Sequence, residues 1–172
     1  MLQRPGPDEF APFYQGYVDR VPPGDVLVHL QAQGERTHSL LSALPEAKGM
    51  YCYAPGKWTV KRLVQHIVDG ERLFCYRAMC IARGEQGSLP GFDENAYAEL
   101  DGSDARSLAL IVDEYVSVRA ATVTLYRGMT DAIAARRGTA NGKTVSVGAL
   151  LWTTAGHELH HLAVLRERYG IG

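Results

Sequence analysis

A chain of 172 residues with 18 Lys and Arg against 19 Asp and Glu carries a formal net charge of −1; it is long enough for one domain whose core needs neither disulfides nor a structural metal. No Lys/Arg-rich run or RNA-binding signature gives nucleic acid a reason to bind, and neither the start, Met1-Leu-Gln-Arg-Pro-Gly-Pro, nor any later segment has the apolar length of a signal peptide or a membrane span. The expectation is a soluble, cytoplasmic protein with a single domain over residues 1–172, of which residues 1–24 form an N-terminal extension packed on the rest.

Helical periodicity divides the chain beyond this extension. After the Val21-Pro-Pro-Gly24 break, Asp25 caps a helix to about Ala43, with Val26, Leu27, Leu30, Leu40 and Leu41 as its apolar positions, and Leu44-Pro-Glu-Ala-Lys-Gly49 ends it. Pro55-Gly56-Lys-Trp58 leads to Thr59, the N-cap of a second helix that reaches about Ala82 and stops at Arg83-Gly84. A third begins near Ser103-Asp104 and carries Leu108, Leu110, Ile111, Tyr115, Val118 and Val123 towards Arg127. A short helix is expected from Thr130 to Arg137, then a turn in which Asn141-Gly142 supplies positive φ angles. The fourth long helix starts near Ser146 and ends at Tyr169-Gly170.

The joint from Arg83 to Gly102 is too long for neighbouring antiparallel helices and reads as a crossover. A second helix of this length covers roughly 36 Å, which about 20 extended residues can retrace. The fold class is all-α, a four-helix bundle, with an up-down-down-up order open to it. Leu89-Pro-Gly-Phe92-Asp93-Glu94-Asn-Ala-Tyr97 lies on the crossover, either carried over a site in the bundle or a capping loop with surface roles.

Gly156-His157-Glu158-Leu159-His160-His161 is the most informative stretch, because His at i and i+4 of a helix points two imidazoles the same way. At about 100° per residue, His161 falls on the more apolar flank of His157, beside Leu151, Thr154 and Leu165. His160 falls on the other, as a second-choice ligand, a supporting residue or a surface one. His66, at the rim of the second helix's buried face, is the plausible third ligand, with Gly70 leaving room beside it. Asp69, one turn on, could orient a ligand, join the metal shell or act as a base through water; a solvated helix charge is the plain alternative. Glu71 suits a helix contact with an arginine. Three imidazoles leave a coordination position open, whereas a structural zinc site closes with four protein ligands. Cys52, Cys75 and Cys80 do not close it easily and read as free thiols. His29 and His38 read as surface or packing residues, and Trp58 and Trp152 as core and boundary anchors.

Trp58-Thr-Val-Lys-Arg-Leu-Val-Gln-His66-Ile-Val-Asp69-Gly-Glu-Arg, the Leu89-Pro-Gly-Phe-Asp segment and Gly156-His157-Glu-Leu-His-His161 through Tyr169, in that order, resemble the DinB/YfiT-like superfamily of metal-dependent four-helix proteins. The resemblance runs from about residue 25 to the end. It implies the up-down-down-up bundle and a divalent ion held by His66, His157 and His161, as in the YfiT-type branch. Relatives include thiol-dependent S-transferases and a maleylpyruvate isomerase, so fold and metal are implied but no single reaction.

The leading expectation is an enzyme whose divalent metal ion activates water or a low-molecular-weight thiol against a small electrophilic substrate, by S-transfer or hydrolysis. Asp69, Asp93 and Glu94 are its candidate bases. Imidazole ligands suit zinc first and nickel second here. The alternative is a metal-binding and dimerisation module without turnover, and a homodimer is plausible either way.

Overall fold

The computed structural model describes residues 3–172. Seven helices appear in chain order: α1 (Gln15–Val18), α2 (Val26–Ser42), α3 (Val60–Ala82), α4 (Glu94–Leu100), α5 (Leu108–Arg127), α6 (Asp131–Ala134) and α7 (Val147–Tyr169). The four long ones start at side-chain caps: Asp25 accepts from Leu27 N–H, Thr59 from Arg62 N–H, Ser107 from Leu110 N–H and Ser146 from Ala149 N–H. Each oxygen satisfies an amide that has no partner within its own helix. Gly170, at φ 65°, then closes α7 in the left-handed conformation.

Partner residues fix the helix directions. Between α3 and α5 the pairs Glu71 with Arg119 and Cys75 with Thr122 advance together, so these helices run parallel. Between α3 and α7, His66 meets His161 while Gly70 meets His157, an antiparallel order. Gln33 and Thr37 of α2 reach Ala155 and Glu158 of α7 in parallel order. The bundle is therefore up-down-down-up, with the parallel middle pair that the long joint allows.

Apolar side chains fill the bundle in two halves. Val26, Leu30, Phe74, Ala78, Val123, Leu151 and Trp152 belong to one, and Leu41, Leu63, Ile67, Ile111, Tyr115 and Leu165 to the other. A buried polar layer lies between. In it Glu158 accepts from Thr37 Oγ1 at 2.5 Å, Tyr115 OH at 2.6 Å, Gln33 Nε2 at 2.6 Å and the Arg119 guanidinium. Arg119 also donates to both Glu71 oxygens, at 2.9 and 2.7 Å, and to Leu30 C=O at 2.9 Å. The arginine expected for Glu71 is thus Arg119. All four long helices contribute a group to this layer, which is how buried charge is kept hydrogen-bonded.

Two boundaries differ from expectation. Asp104 does not open α5, because its carboxylate accepts from Thr59 Oγ1 at 2.6 Å and pairs with Arg62 at 2.8 Å; Ser103–Ala105 is a 3-10 turn and Ser107 caps the helix instead. The short helix stops at Ala134 because the chain enters a strand. Three strands, β1 (Ser88–Leu89), β2 (Arg137–Ala140) and β3 (Lys143–Ser146), form a small sheet in that order. β2 and β3 are an antiparallel hairpin turning at Asn141, φ 51°, and Gly142, φ 68°, while β1 of the crossover joins β2 in parallel. Strands of two and four residues are too short to leave a period in the sequence.

The N-terminal residues pack on α7. A Cβ at Gly156 would lie 2.0 Å from Tyr17 O and 2.4 Å from Tyr17 C, so the α1 backbone is seated where only glycine fits. Arg4 reinforces the contact, lying 4.7 Å over the Trp152 ring and donating to Val18 C=O at 2.8 Å. Among the described residues no helix is long and apolar enough to cross a membrane.

Candidate metal centre

His66 projects from the second turn of α3 towards α7, whose i, i+4 spacing turns His157 and His161 back at it. The three Nε2 atoms lie 3.0 Å (His66 to His157), 3.1 Å (His66 to His161) and 3.1 Å (His157 to His161) apart. This is the one group of three or more His, Cys, Asp or Glu side chains with metal-ligand convergence among the described residues. Aromatic rings hold the imidazoles in place. Trp58 lies 5.0 Å from His66, and Phe74 and Tyr17 meet His157 edge-on at 5.6 and 5.5 Å. Gly70 does leave room, but His157 takes it: a Cβ there would stand 2.9 Å from His157 Cε1.

Burial keeps these rings neutral. It lowers the pKa of His66 to about 4, against the opposing charge of Glu94, and that of His161 to about 3, helped by His66 and His160. His157 is held well below the ordinary histidine value, by burial first and then by the neighbouring histidines. Neutral imidazole is the ligating form.

The triangle fits a metal ion. In a neutral imidazole each Nε2 is either a donor or an acceptor and never both, so three mutual contacts round a triangle cannot all be hydrogen bonds. Three atoms about 3.1 Å apart lie on a circle of radius about 1.8 Å, inside the roughly 2.0–2.1 Å of a zinc–imidazole bond, so one point off their plane is at bonding distance from all three. His161 Nδ1 is buried without a hydrogen-bond partner, so no protein acceptor supports that ligand.

The remaining expected residues fall unevenly. Glu94, at the start of α4, lines the cleft with the three histidines, as does His160, whose ring meets Tyr17 at 5.4 Å. Asp93 is occupied as the α4 N-cap, accepting from the Asn95 and Ala96 amides. Asp69 does not line the cleft. It accepts from Gln65 Nε2 at 3.0 Å and lies 3.8 Å from Arg72, on the side of α3 that faces Glu114 of α5, and burial raises its pKa. Cys52, Cys75 and Cys80 are free thiols; burial pushes Cys75 up to about 12.

Phe92 of the crossover does reach the site, and with Phe74 and the residues that the sequence did not single out, Tyr14, Tyr17 and Arg77, it completes a cleft of about 590 Å³. The cleft is drawn from α1, α3, the crossover, the hairpin and α7. Glu158 has the spacing of the His-Glu-x-x-His motif, in which the glutamate serves as a base beside zinc. Here it is 1% exposed and receives four donors from the core, so it is turned away from the histidines' task.

Burial also sets a pH dependence for the metal-free protein. Unfolded histidine takes up a proton near pH 6.5, whereas folded His66 and His161 resist it down to about 4 and about 3. Their contribution to stability is present above pH 6.5 and is lost as the pH falls towards the folded values. The urea midpoint of metal-free protein should therefore drop between pH 7 and pH 5, and His157→Gln should make the drop shallower. A midpoint that is flat over this range would contradict the assignment.

Comparison with known proteins agrees with this picture. The DinB superfamily profile matches residues 29–165. A Bacillus pumilus (strain SAFR-032) protein named "Putative metal-dependent hydrolase" is 32% identical over 121 residues, spanning 67% of this chain and 66% of that one. Among solved structures, YfiT from Bacillus subtilis, described as "a probable metal-dependent hydrolase with an unusual four-helix bundle topology", is similar at a TM-score of 0.72 and 19% identity, over 99% of this chain and 95% of that one. A mycothiol-dependent maleylpyruvate isomerase is similar at 0.67 and 17% identity, over 84% of this chain and 61% of that one. The two structural likenesses are likenesses of fold.

Proposed function

Since the chain belongs to the DinB superfamily, we propose that it is a metal-dependent enzyme in which His66, His157 and His161 hold a divalent ion, zinc in the first instance and nickel in the second. The observation that carries this reading is the convergence of three neutral Nε2 atoms in a cleft of substrate size. A bound ion would supply Lewis acidity, bringing the pKa of a water or low-molecular-weight thiol near neutrality. The substrate is a small electrophile, taken by hydrolysis or by thiol transfer; one relative is named a metal-dependent hydrolase, and a protein of the same fold is named a mycothiol-dependent isomerase.

The chain's own residues supply position and proton handling. Trp58, Tyr17 and Phe74 pack around the imidazoles, hold their orientation and keep bulk water from the inner side of the cleft. Glu94 is the carboxylate that lines the cleft and the one whose charge reaches His66, so it is the group placed to accept a proton from an incoming nucleophile. Asp69, turned towards Gln65 and Arg72, supports α3 rather than the chemistry.

Purification without an affinity tag followed by elemental analysis tests the ion: about one equivalent of a transition metal is expected, and none in the His66→Ala, His157→Ala double variant. Turnover of electrophilic esters and haloaromatics by zinc-loaded protein, with and without added thiols, tests the reaction. Stoichiometric metal with no consumption in either arm would leave binding without catalysis and overturn the enzymatic part.

A further inference from the structure

One cation in the cleft wall has no counter-ion. Arg77 is 3% exposed, yet no Asp or Glu oxygen lies within 4.0 Å of its guanidinium among the described residues. Its Nη2 donates to Pro90 C=O on the crossover at 2.7 Å. Among the described residues the other guanidinium nitrogens have no protein partner, and they are not sealed from solvent, so they open on the cleft that Arg77 lines. Buried arginine is ordinarily paired, and the contrast within this chain is direct: Arg119, equally buried, binds two carboxylates. Lys143 of the β2–β3 hairpin lines the same cleft, exposed and without an ion-pair partner among the described residues.

Position gives the missing partner a shape. Arg77 stands eleven residues beyond His66 on α3, which is three turns, about 17 Å along the axis and only about 20° round it. Helical side chains lean towards the N-terminus, so its guanidinium returns towards the histidines to a separation on the order of 10–15 Å. Phe74, Phe92 and Tyr14 line the cleft as well, so its wall is largely aromatic. One end is thus built of imidazoles, the wall of rings, and the other end of two cations.

We propose that Arg77 and Lys143 form an anion subsite, and that the small molecule handled at the histidine end is elongated, with an apolar middle and a terminal carboxylate that binds there. This names the substrate class for the function proposed above and rests on it for what happens at the histidine end. The carboxylate belongs either to the electrophile or to the thiol. The planar, fixed fork of arginine suits a carboxylate, and Lys143 adds a point charge.

Titration calorimetry with defined probes decides the matter. On zinc-loaded protein, 8-mercaptooctanoate should bind about tenfold or more tightly than 8-mercapto-1-octanol, the range of a charged hydrogen bond. 3-Mercaptopropionate, too short to reach Arg77, should show no such advantage over 2-mercaptoethanol. Arg77→Gln should abolish the preference and Lys143→Gln should reduce it. The second variant changes an exposed residue without ion-pair partners and guards against a folding defect in the first, which circular dichroism would reveal. Equal binding of acid and alcohol by the wild type, or a preference untouched by both substitutions, overturns the subsite.

Octanoate against 1-octanol repeats the comparison on metal-free protein. If zinc fails to bind, the metal-dependent reading falls while this arm still decides the subsite by the same criteria. If sulfur adds affinity to the carboxylate only with zinc present, the anionic end belongs to the thiol. If octanoate binds as tightly as 8-mercaptooctanoate, it belongs to the electrophile.

Discussion

Alanine in place of His66, His157 or His161 is expected to lower zinc affinity by more than about 100-fold, while His160→Ala lowers it by less than about tenfold. Residues that only support a metal ligand typically account for 10–100-fold in affinity, and loss of a direct nitrogen bond from a three-ligand set exceeds that. His160 lines the cleft with its ring against Tyr17, but its nitrogens are outside the convergent triangle. The variants should still fold, because neither apolar half of the core includes these histidines. Competition against a chromophoric chelator measures all four proteins side by side. Loss of binding in His160→Ala with retention in His161→Ala would show that the ligand set is wrong.

Arg119→Met is expected to cost about 3–5 kcal/mol of folding stability, the usual result of removing one partner from a buried ion pair. Glu71 and Glu158 would then face one another in the core with no cation between them. Replacing all three charges, with Glu71→Leu and Glu158→Leu added to Arg119→Met, should recover much of the loss, since apolar residues of similar volume remove the uncompensated charge. Recovery should be incomplete. Thr37 and Tyr115 would keep their donors and lose their acceptor, each a buried group left unsatisfied, and Gln33 would keep only Ala155 C=O. Urea unfolding with a constant slope reads the difference. An Arg119→Met protein as stable as the wild type would mean that the polar layer has no structural weight.

Legibility from sequence tracks the reach of each interaction. Asp25, Thr59 and Ser146 cap the helices that the sequence assigns to them, since a cap acts over two or three residues. The histidine convergence is legible because α-helical periodicity alone puts His157 and His161 together, and the rim position of His66 suits a ligand that is accessible yet beside the buried face. Asp104 misleads because its partner, Thr59, is 45 residues away and takes the carboxylate that would have capped α5. Glu158 is opaque for a similar reason: a glutamate between two ligands looks catalytic until Thr37, Tyr115, Gln33 and Arg119 arrive from two other helices. Arg77 carries no local sign at all, for what distinguishes it is a partner that three-dimensional structure fails to provide.

One wall of the cleft rests on a single backbone contact, that of Tyr17 on Gly156. The superfamily profile begins at residue 29, so it takes in the histidines of α3 and α7 but leaves out Tyr14 and Tyr17, which face them. The matched region thus holds the three imidazoles, while Tyr14 and Tyr17 lie N-terminal to it, in a stretch that the fold likeness to YfiT does span. That wall can be seated because position 156 has no side chain. Any side chain at 156 would lift α1 off α7 and carry Tyr17 away from His157 while leaving the three imidazoles where they are, so the shape of the cleft hangs on one absent methyl group.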